Sequence, residues 1–456
     1  MDNWSTVILI TAGLFAVAGL AVFALQSRRE GERRAARRSA GLAVLGLALL
    51  ALALVLPPAV QTVLALLLGV GVALAALLVS LPIGHVAAGH DTPQDRVDER
   101  ETMFARARLK PGSPEYAAYY THHPEHQAID ERIRALPGLL SPSSPKAHPL
   151  HFAAAEASFL IPGALREWVD GPVAADALTL TPDAATTYLK GLTRYYGART
   201  AGIAALQPYH VYSHVGRGSG EYGAPLTVDD RYALAFTVEM AHALVGAAPD
   251  APTVLETAKE YAVAAQIAVQ LAAFIRALGY TARAHIDGNY RVIAPLVARD
   301  AGLGEIGRMG LLMTPQLGPR VRLGVVTTDM PLVVDGPTPR PDILDFCRVC
   351  KKCAENCPSR AIPFDDRQEI DGALRWQIDS GRCFHYWNVI GTDCGRCMSV
   401  CPYAHPDTLP HNVVRWASRH SGFARRVVLR LDDLFYGRQP PPRPAPTWTT
   451  VDLADK

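Results

Sequence analysis

The chain has 456 residues, of which 49% are hydrophobic and 19% charged, and its formal net charge is +2. This length is sufficient for two or three domains, and so apolar a composition is unusual for a soluble enzyme. The sequence has no long basic run beyond one arginine-rich loop, which argues against a nucleic-acid partner.

Three N-terminal segments are predicted to span a membrane. They cover residues 7–26, 40–56 and 59–81, and a spanning helix needs about 20 apolar residues, with a range of about 17–25. Pro57 and Pro58 would form the turn between the second and third spans. A buried helical hairpin is the alternative, but apolar runs of this length favour membrane insertion. Because none of the three runs contains an ionisable residue, we predict an anchor and not a transport pathway.

The segment SRREGERRAARRS, residues 27–39, indicates how the spans are oriented. Its six arginines lie between the first two spans, and short positive loops stay on the cytoplasmic side. We therefore predict a multi-pass protein of the inner membrane whose remaining residues face the cytoplasm. Arg37 and Arg38 are similar to a twin-arginine export signal, but a complete span precedes them and Ser-Ala-Gly-Leu follows.

Composition divides the chain into five predicted segments. They are a transmembrane anchor at residues 1–88, a connecting segment at 89–150, an α/β or α+β core at 151–335, a cysteine-rich domain at 336–410 and a C-terminal tail at 411–456. Within the core, helical patterns alternate with β-rich runs such as YRVIAPL and VRLGVVTTD. Near the end of the tail, RQPPPRPAPTW favours polyproline II or disorder.

A long helix is predicted over residues 253–278. The sequence T-V-L-E would form a capping box at its start, and Gly279 would end it. One face carries an apolar stripe, which includes Tyr261 among several alanines. From the sequence alone, Tyr261 is a core residue that fills a gap between helices.

The run AGLGEIGRMGLL, residues 301–312, contains the G-x-G-x-x-G pattern of dinucleotide-binding folds. Its context argues against that function. The glycines should follow a strand, yet residues 292–301 are at least as compatible with a helix. They should also open a long helix, yet Pro315, Gly318 and Pro319 interrupt the following segment.

The eight cysteines form two sets, each ending in C-x₂-C-x₃-C-P. In bacterial two-cluster ferredoxins, the last cysteine of such a run binds the other cluster. The rule predicts one [4Fe–4S] cluster on Cys347, Cys350, Cys353 and Cys401, and a second on Cys357, Cys383, Cys394 and Cys397. Zinc is the alternative for paired C-x₂-C motifs, and disulfides are disfavoured because the cytoplasm is reducing.

Three runs together resemble the corrinoid-dependent reductive dehalogenases: FCRVCKKCAENCPSRAI, AGLGEIGRMGLLMTPQLGPRVRLGVVTTDMPL, and the second cysteine set with its Cys-Pro. The resemblance extends upstream to DERETMFARARLKPGSPEYAAYYTHHPE and covers most of the chain beyond the spans. It implies a nitroreductase-like α/β core that holds a base-off cobamide, to which two [4Fe–4S] clusters deliver electrons one at a time. The sequence has no D-x-H-x-x-G motif, which agrees with a cobalt that lacks a protein ligand.

The resemblance also implies the residues of the site. Tyr261 would donate the proton, Arg322 would be the basic residue beside it, and an asparagine seen in some members falls near Asn289. A nearby guanidinium should lower the pKa of the tyrosine. The glycine-rich run would contact the cobamide through Gly302, Gly304, Gly307, Arg308 and Gly310.

The chain departs from this family in its membrane segment. Respiring members carry an export signal and use a separate three-helix anchor protein, whereas here the anchor is fused to the catalytic part. The implied partners are an organohalide substrate, the lipid bilayer and a low-potential donor from a ferredoxin, flavodoxin or membrane quinol system. Two alternatives remain open. Epoxyqueuosine reductase shares the cofactors but is soluble, and a membrane-tethered ferredoxin-like carrier would not need the long segment before Cys347.

Overall fold

The computed structural model describes residues 4–81 and 91–451. Two compact units form: residues 1–86 with 406–444, and residues 87–405 with 445–456. The described residues contain seventeen α-helices, which in chain order are α1 (Trp4–Arg29), α2 (Arg33–Val55), α3 (Pro58–Ser80), α4 (Met103–Arg106), α5 (Pro114–His122), α6 (Pro124–Arg134), α7 (Pro149–Ala164), α8 (Pro182–Tyr195), α9 (His242–Gly246), α10 (Ala251–Ala277), α11 (Ala294–Asp300), α12 (Pro341–Cys350), α13 (Lys352–Glu355), α14 (Ser380–Ile390), α15 (Arg396–Ser399), α16 (Leu409–His420) and α17 (Gly422–Phe435).

The described strands form one four-stranded sheet and two hairpins. In chain order the strands are β1 (Thr200–Ala205), β2 (Tyr232–Glu239), β3 (Ala282–His285), β4 (Glu305–Ile306), β5 (Leu312–Met313), β6 (Val321–Thr328), β7 (Gln368–Ile370) and β8 (Ala373–Arg375). Short 3₁₀ helices lie at Glu99–Glu101, Leu165–Trp168, Pro208–His210, Pro402–Ala404 and Thr447–Thr449.

The first unit contains the three predicted apolar segments. All three are confirmed as helices long and apolar enough to cross a membrane. Their large side chains stay exposed, as the 83% exposure of Phe15 shows, and such a surface suits lipid better than water. The turn between α2 and α3 falls at Leu56 and Pro57, because Pro58 begins α3.

The C-terminal segment contains two helices, α16 and α17, which were not predicted from the sequence. Helices α16 and α17 belong to the same unit as α1–α3. The Ser421 hydroxyl donates to the Leu78 carbonyl at 2.7 Å, and His411 Nε2 lies 2.9 Å from Glu30 Oε2. Residues 440–446, in the proline-rich end of the segment, are neither helix nor strand, and their predicted polyproline II or disorder stays a prediction.

The second unit is built on an antiparallel sheet with the order β1-β2-β6-β3. Alternate residues of β2 face opposite sides, so Leu234 and Phe236 pack with α10, while Ala233 and Ala235 pack with α11. This alternation buries both faces of the sheet. Gly324 lies opposite Phe236, and a Cβ there would approach the Phe236 ring to 2.2 Å. The core is therefore a mixed helix-and-sheet fold, as predicted.

Helix α10 starts earlier than the predicted helix and ends close to its predicted end. The apolar stripe is confirmed, with Val254, Ala258, Ala265, Ala268, Ala272 and Ile275 all buried. The predicted capping box is wrong. The Thr253 hydroxyl instead donates to the Leu244 carbonyl at 3.3 Å, and the Glu256 carboxylate accepts the Ala241 N–H. Both side chains bond to α9 and its start, so tertiary contacts override the local motif.

Of the two β-rich runs predicted in the core, one is a strand and the other is not. VRLGVVTTD forms β6, but YRVIAPL is not a strand, since Pro295 lies in the first turn of α11. The glycine-rich run forms the β4–β5 hairpin and not a strand-to-helix turn. A hairpin does not have the strand–turn–helix geometry of a dinucleotide-binding motif.

Candidate active site

Tyr261 lies on α10 at the wall of a cavity of about 470 Å³. The neighbouring turn of the helix contributes Val254 and Thr257, and β6 contributes Arg322 and Leu323. The cavity therefore forms where the start of the long helix passes over the sheet. Its position explains why a tyrosine on an otherwise apolar stripe is accessible to a ligand.

Arg322 is held directly against Tyr261. Its guanidinium carbon lies 4.8 Å from the centre of the Tyr261 ring, a distance typical of a cation–π contact. Arg322 Nη2 donates to Thr257 Oγ1 at 2.7 Å and to Asp393 Oδ2 at 3.2 Å. The Thr257 hydroxyl donates to the same Asp393 oxygen at 2.5 Å. These contacts fix the guanidinium in one orientation.

The pKa of Tyr261 is raised, which differs from the expectation drawn from its arginine neighbour. Burial raises the pKa, and Arg322 opposes this effect without overcoming it. Asp287 and Asp393 also raise the pKa of Tyr261. The hydroxyl is therefore protonated at neutral pH. Within residues 4–81 and 91–451 it has no hydrogen-bond partner, so its proton is available to a ligand.

The sequence did not single out Asp393, Thr257 or Tyr290. Asp393 precedes Cys394, and this adjacency was the one available indication that the cysteine loop reaches the cavity. Tyr290 lines the cavity, and burial raises its pKa well above the usual value.

Asn289 is held by a neighbouring loop. Its Oδ1 accepts from the Ser219 N–H at 3.2 Å and from Arg283 Nη2 at 2.9 Å. The adjacent Tyr290, and not Asn289, contributes to the cavity wall. The proposed role of Asn289 at the reaction centre stays a prediction.

The glycine-rich run shapes backbone packing. A Cβ on Gly304 would lie 2.3 Å from the Met313 carbonyl oxygen, and one on Gly302 would lie 2.9 Å from the Gly336 carbonyl oxygen. A Cβ on Gly307 would lie 2.7 Å from Met313 Cγ. Gly310 lines a second cavity of about 260 Å³. The predicted cobamide contacts of this run stay predictions.

Arg308 binds the cysteine loop. Its side chain is fully buried and donates to the carbonyls of Cys347 at 3.0 Å and Pro363 at 2.8 Å. Its guanidinium carbon lies 4.7 Å from the centre of the Trp376 ring. Burial lowers the pKa of Arg308, and Cys347 and Cys353 raise it. Arg308 therefore places a positive charge beside these sulfurs.

The eight cysteines are free thiols, and electrostatic interactions connect their sulfurs. Burial raises the pKa of Cys401, as do the sulfurs of Cys347, Cys350 and Cys353. Burial, together with the neighbouring sulfurs of Cys383 and Cys357, raises the pKa of Cys394 to about 12. Thiolates crowded in this way are stable when a metal neutralises them. The donor set therefore fits iron–sulfur clusters.

A corrinoid is larger than the first cavity alone. A second cavity lies next to the first, and Tyr212 and Pro295 line both. The walls of the first cavity are mostly apolar, and its polar groups include Tyr261, Arg322 and Asp393. Such a lining suits a large planar cofactor with one reactive centre.

Comparison with known proteins identifies the cysteine region and the core. Residues 346–405 match a family described as a 4Fe-4S dicluster domain. A tetrachloroethene reductive dehalogenase of Sulfurospirillum multivorans is 33% identical over 294 residues, which cover 57% of this chain and 58% of that protein.

Two solved structures extend this similarity to the fold. A catabolic reductive dehalogenase in complex with 3-bromo-4-hydroxybenzoic acid has a TM-score of 0.64 and 26% identity, covering 79% of this chain and 49% of its own. A structure described as suggesting a mechanism for B12-dependent dehalogenation has the same score and identity, covering 78% of this chain and 49% of its own. The chain thus spans about half the length of the proteins it matches. Over the shared region the chain is similar in sequence and fold to reductive dehalogenases.

Proposed function

We propose that the protein is a membrane-anchored reductive dehalogenase that replaces a carbon–halogen bond of an organohalide by carbon–hydrogen. The observation that carries the proposal is the contact of Tyr261 with Arg322 in a cavity that the cysteine loop reaches through Asp393. A protonated phenol, a fixed cation and an adjacent electron-transfer centre are the groups that this reaction requires. Replacing halogen by hydrogen consumes two electrons and one proton and releases a halide.

Two [4Fe–4S] clusters with crossed ligation would supply the electrons. Cys401 would join Cys347, Cys350 and Cys353 on one cluster, and Cys357 would join Cys383, Cys394 and Cys397 on the other. The cysteine spacing supports this assignment, and so does the electrostatic contact of Cys401 with the first three sulfurs. Cys397 also interacts with Cys353, so the two clusters would be close enough to exchange electrons.

A base-off cobamide in the cavity, when bound, would supply the cobalt that breaks the carbon–halogen bond. Tyr261 would donate its proton to the carbon from which the halogen departs. Arg322 would stabilise the resulting phenolate and the leaving halide. Thr257 and Asp393 would hold the guanidinium where both charges develop.

Halide release tests the proposed function. The purified protein, loaded with cobamide and clusters, is supplied with reduced methyl viologen and a panel of chlorinated and brominated compounds. We expect halide release and about eight iron atoms with one cobalt per chain. A membrane-tethered electron carrier would contain iron without cobalt. Protein that is fully loaded and releases no halide from any compound would contradict the proposal.

Asp393 is proposed to position Arg322. Asp393→Asn keeps the shape and removes the charge, so we expect kcat to fall roughly 10- to 100-fold, the usual range for losing a hydrogen bond between charged groups. Iron content should be unchanged, although Cys394 is adjacent. As a matched control, Thr257→Val removes the hydroxyl and should cost less. A normal kcat, or a loss of iron that explains the defect, would remove Asp393 from this role.

Helices α1–α3 are proposed to anchor the enzyme in the inner membrane, with the catalytic part in the cytoplasm. A fluorescent protein fused after Lys456 should be fluorescent, and alkaline phosphatase at the same place should be inactive, because the phosphatase folds only after export. The same reporters placed after Pro57 should give the opposite result. Active phosphatase at the C-terminus would reverse the orientation. The proposed electron donor is a ferredoxin, a flavodoxin or a membrane quinol.

A further inference from the structure

Helices α16 and α17 pack against one end of the three apolar helices. Both contact α3, and α17 also contacts α2. The Ser421 hydroxyl donates to the carbonyl of Leu78 in the last turn of α3. The Phe435 ring centre lies 5.1 Å from that of Phe23, which is inside the first predicted span. The two helices therefore lie beside the spans, at the end where residues 27–39 join α1 to α2.

The outer face of each of these two helices is apolar. Its large side chains recur every three or four residues, which places them on one stripe of the helix. The exposed residues of the two stripes are Val413, Trp416, Phe423, Val427, Leu431 and Leu434. Helices at a water-facing surface show the opposite pattern, with polar side chains outside.

The inner faces of the same helices contain polar and charged residues. His411, Ser418, Arg425 and Asp432 are all buried. Arg425 Nη1 donates to the Ser418 carbonyl at 3.0 Å, and His411 Nε2 lies 2.9 Å from Glu30 Oε2. Because polar groups are inside and apolar groups outside, the outer faces of α16 and α17 suit an apolar partner or a membrane.

The charge of the two helices distinguishes between kinds of partner. Residues 409–435 contain five arginines and two aspartates. Three of the arginines, Arg419, Arg426 and Arg430, are exposed, and within the part of the chain that the structure describes none of these three forms an ion pair. Helices with arginine on one side and Trp, Phe and Leu on the other lie at membrane–water interfaces.

A second copy of the chain is the alternative occupant of this apolar face. It would bring an identical set of arginines against Arg419, Arg426 and Arg430, and like charges oppose such a contact. The bilayer requires no such approach, because α16 and α17 already contact helices that are long and apolar enough to cross it. Anionic headgroups would also neutralise the arginines.

We propose that α16 and α17 form an interfacial hairpin that binds anionic phospholipids through Arg419, Arg426 and Arg430. The apolar stripe enters the outer part of the acyl-chain region, and Trp416 lies at the headgroup boundary, where tryptophan is enriched in membrane proteins. The inference rests on the proposed anchor and goes beyond it, since it adds a lipid-binding element outside the three spans. It does not depend on the proposed reaction.

Quenching of Trp416 fluorescence by brominated lipids tests this inference. The full-length, cofactor-loaded protein is placed in lipid vesicles, and the Trp416 signal is the difference between wild type and Trp416→Phe in the same lipid. We expect phosphatidylcholine with bromines near the headgroup to quench Trp416 more than phosphatidylcholine with bromines near the chain ends. Brominated phosphatidylglycerol should bind beside Trp416 with a preference of roughly fivefold over brominated phosphatidylcholine.

The arginines are tested by combining Arg419→Gln, Arg426→Gln and Arg430→Gln in one variant. It should lose the preference for phosphatidylglycerol and keep the depth of Trp416, because the apolar stripe is unchanged. High salt should reduce the preference of the wild type in the same way, so the test remains if the variant does not fold. As a matched control, Arg132→Gln, Arg194→Gln and Arg382→Gln together remove three exposed arginines of the second unit and should leave the preference unchanged.

Each failure has a different signature. No quenching of Trp416 by any brominated lipid, from protein that only detergent extracts, would overturn the inference and assign the stripe to a protein partner. Equal quenching by both headgroups, with no response to salt or to the arginine variant, would overturn the binding of anionic lipid. Protein that alkaline carbonate releases from the vesicles without detergent would contradict the proposed anchor itself.

Discussion

Replacing Tyr261 with Phe should lower kcat about 10²- to 10⁴-fold, the usual contribution of a positioned acid. Phe keeps the ring and its packing on α10 and removes only the hydroxyl. Cobalt and iron content should stay near wild type, because the hydroxyl is not proposed to bind either. Arg322→Ala should approach the same loss, and Arg322→Lys should be milder because it keeps the charge.

Tyr290→Phe is the matched control for this prediction. It removes the hydroxyl of a second tyrosine that lines the same cavity, and we expect a much smaller loss. If Tyr290→Phe caused the large loss and Tyr261→Phe did not, the proton donor would be wrongly assigned. The pH profile provides a further check. Since burial raises the pKa of Tyr261 above its usual range, its hydroxyl stays protonated and should cause no fall in rate between pH 7 and about pH 9.

The second large effect is expected from the two cysteines that are each proposed to bind the cluster of the other cysteine set. Cys401→Ala should damage the cluster of the first cysteine set, and Cys357→Ala should damage that of the second set. Each change should remove about four iron atoms and abolish dehalogenation, because electrons would pass through both clusters. Electron paramagnetic resonance of the reduced proteins distinguishes the clusters. If each variant instead lost the cluster of its own set, ligation would not be crossed.

The two cysteine sets could be recognised from the sequence because ligand spacing within each set is a local property, whereas their crossed assignment to two clusters stays a prediction. The three apolar helices could be predicted for the same reason, since length and composition alone decide whether a helix can span a bilayer. The position of Tyr261 on α10 also followed from periodicity. Its role did not, because a tyrosine among alanines is equally compatible with a core.

The missed features depend on contacts between distant parts of the chain. Thr257 and Asp393 share a hydrogen bond across 136 positions, and no sequence pattern encodes that contact. The capping box failed because Thr253 and Glu256 bond to the segment around α9. The sign of the Tyr261 pKa shift was also missed, because the arginine could be predicted but the extent of burial could not.

The central claim is that carbon–halogen bonds are replaced by carbon–hydrogen bonds in this cavity. Turnover of the brominated compounds of the panel in D₂O by the fully loaded protein with reduced methyl viologen tests it directly. One bromide is expected for each debrominated product formed, with deuterium at the carbon that carried bromine. Bromide accompanied by a hydroxylated product, or no bromide from any compound with fully loaded protein, would contradict it.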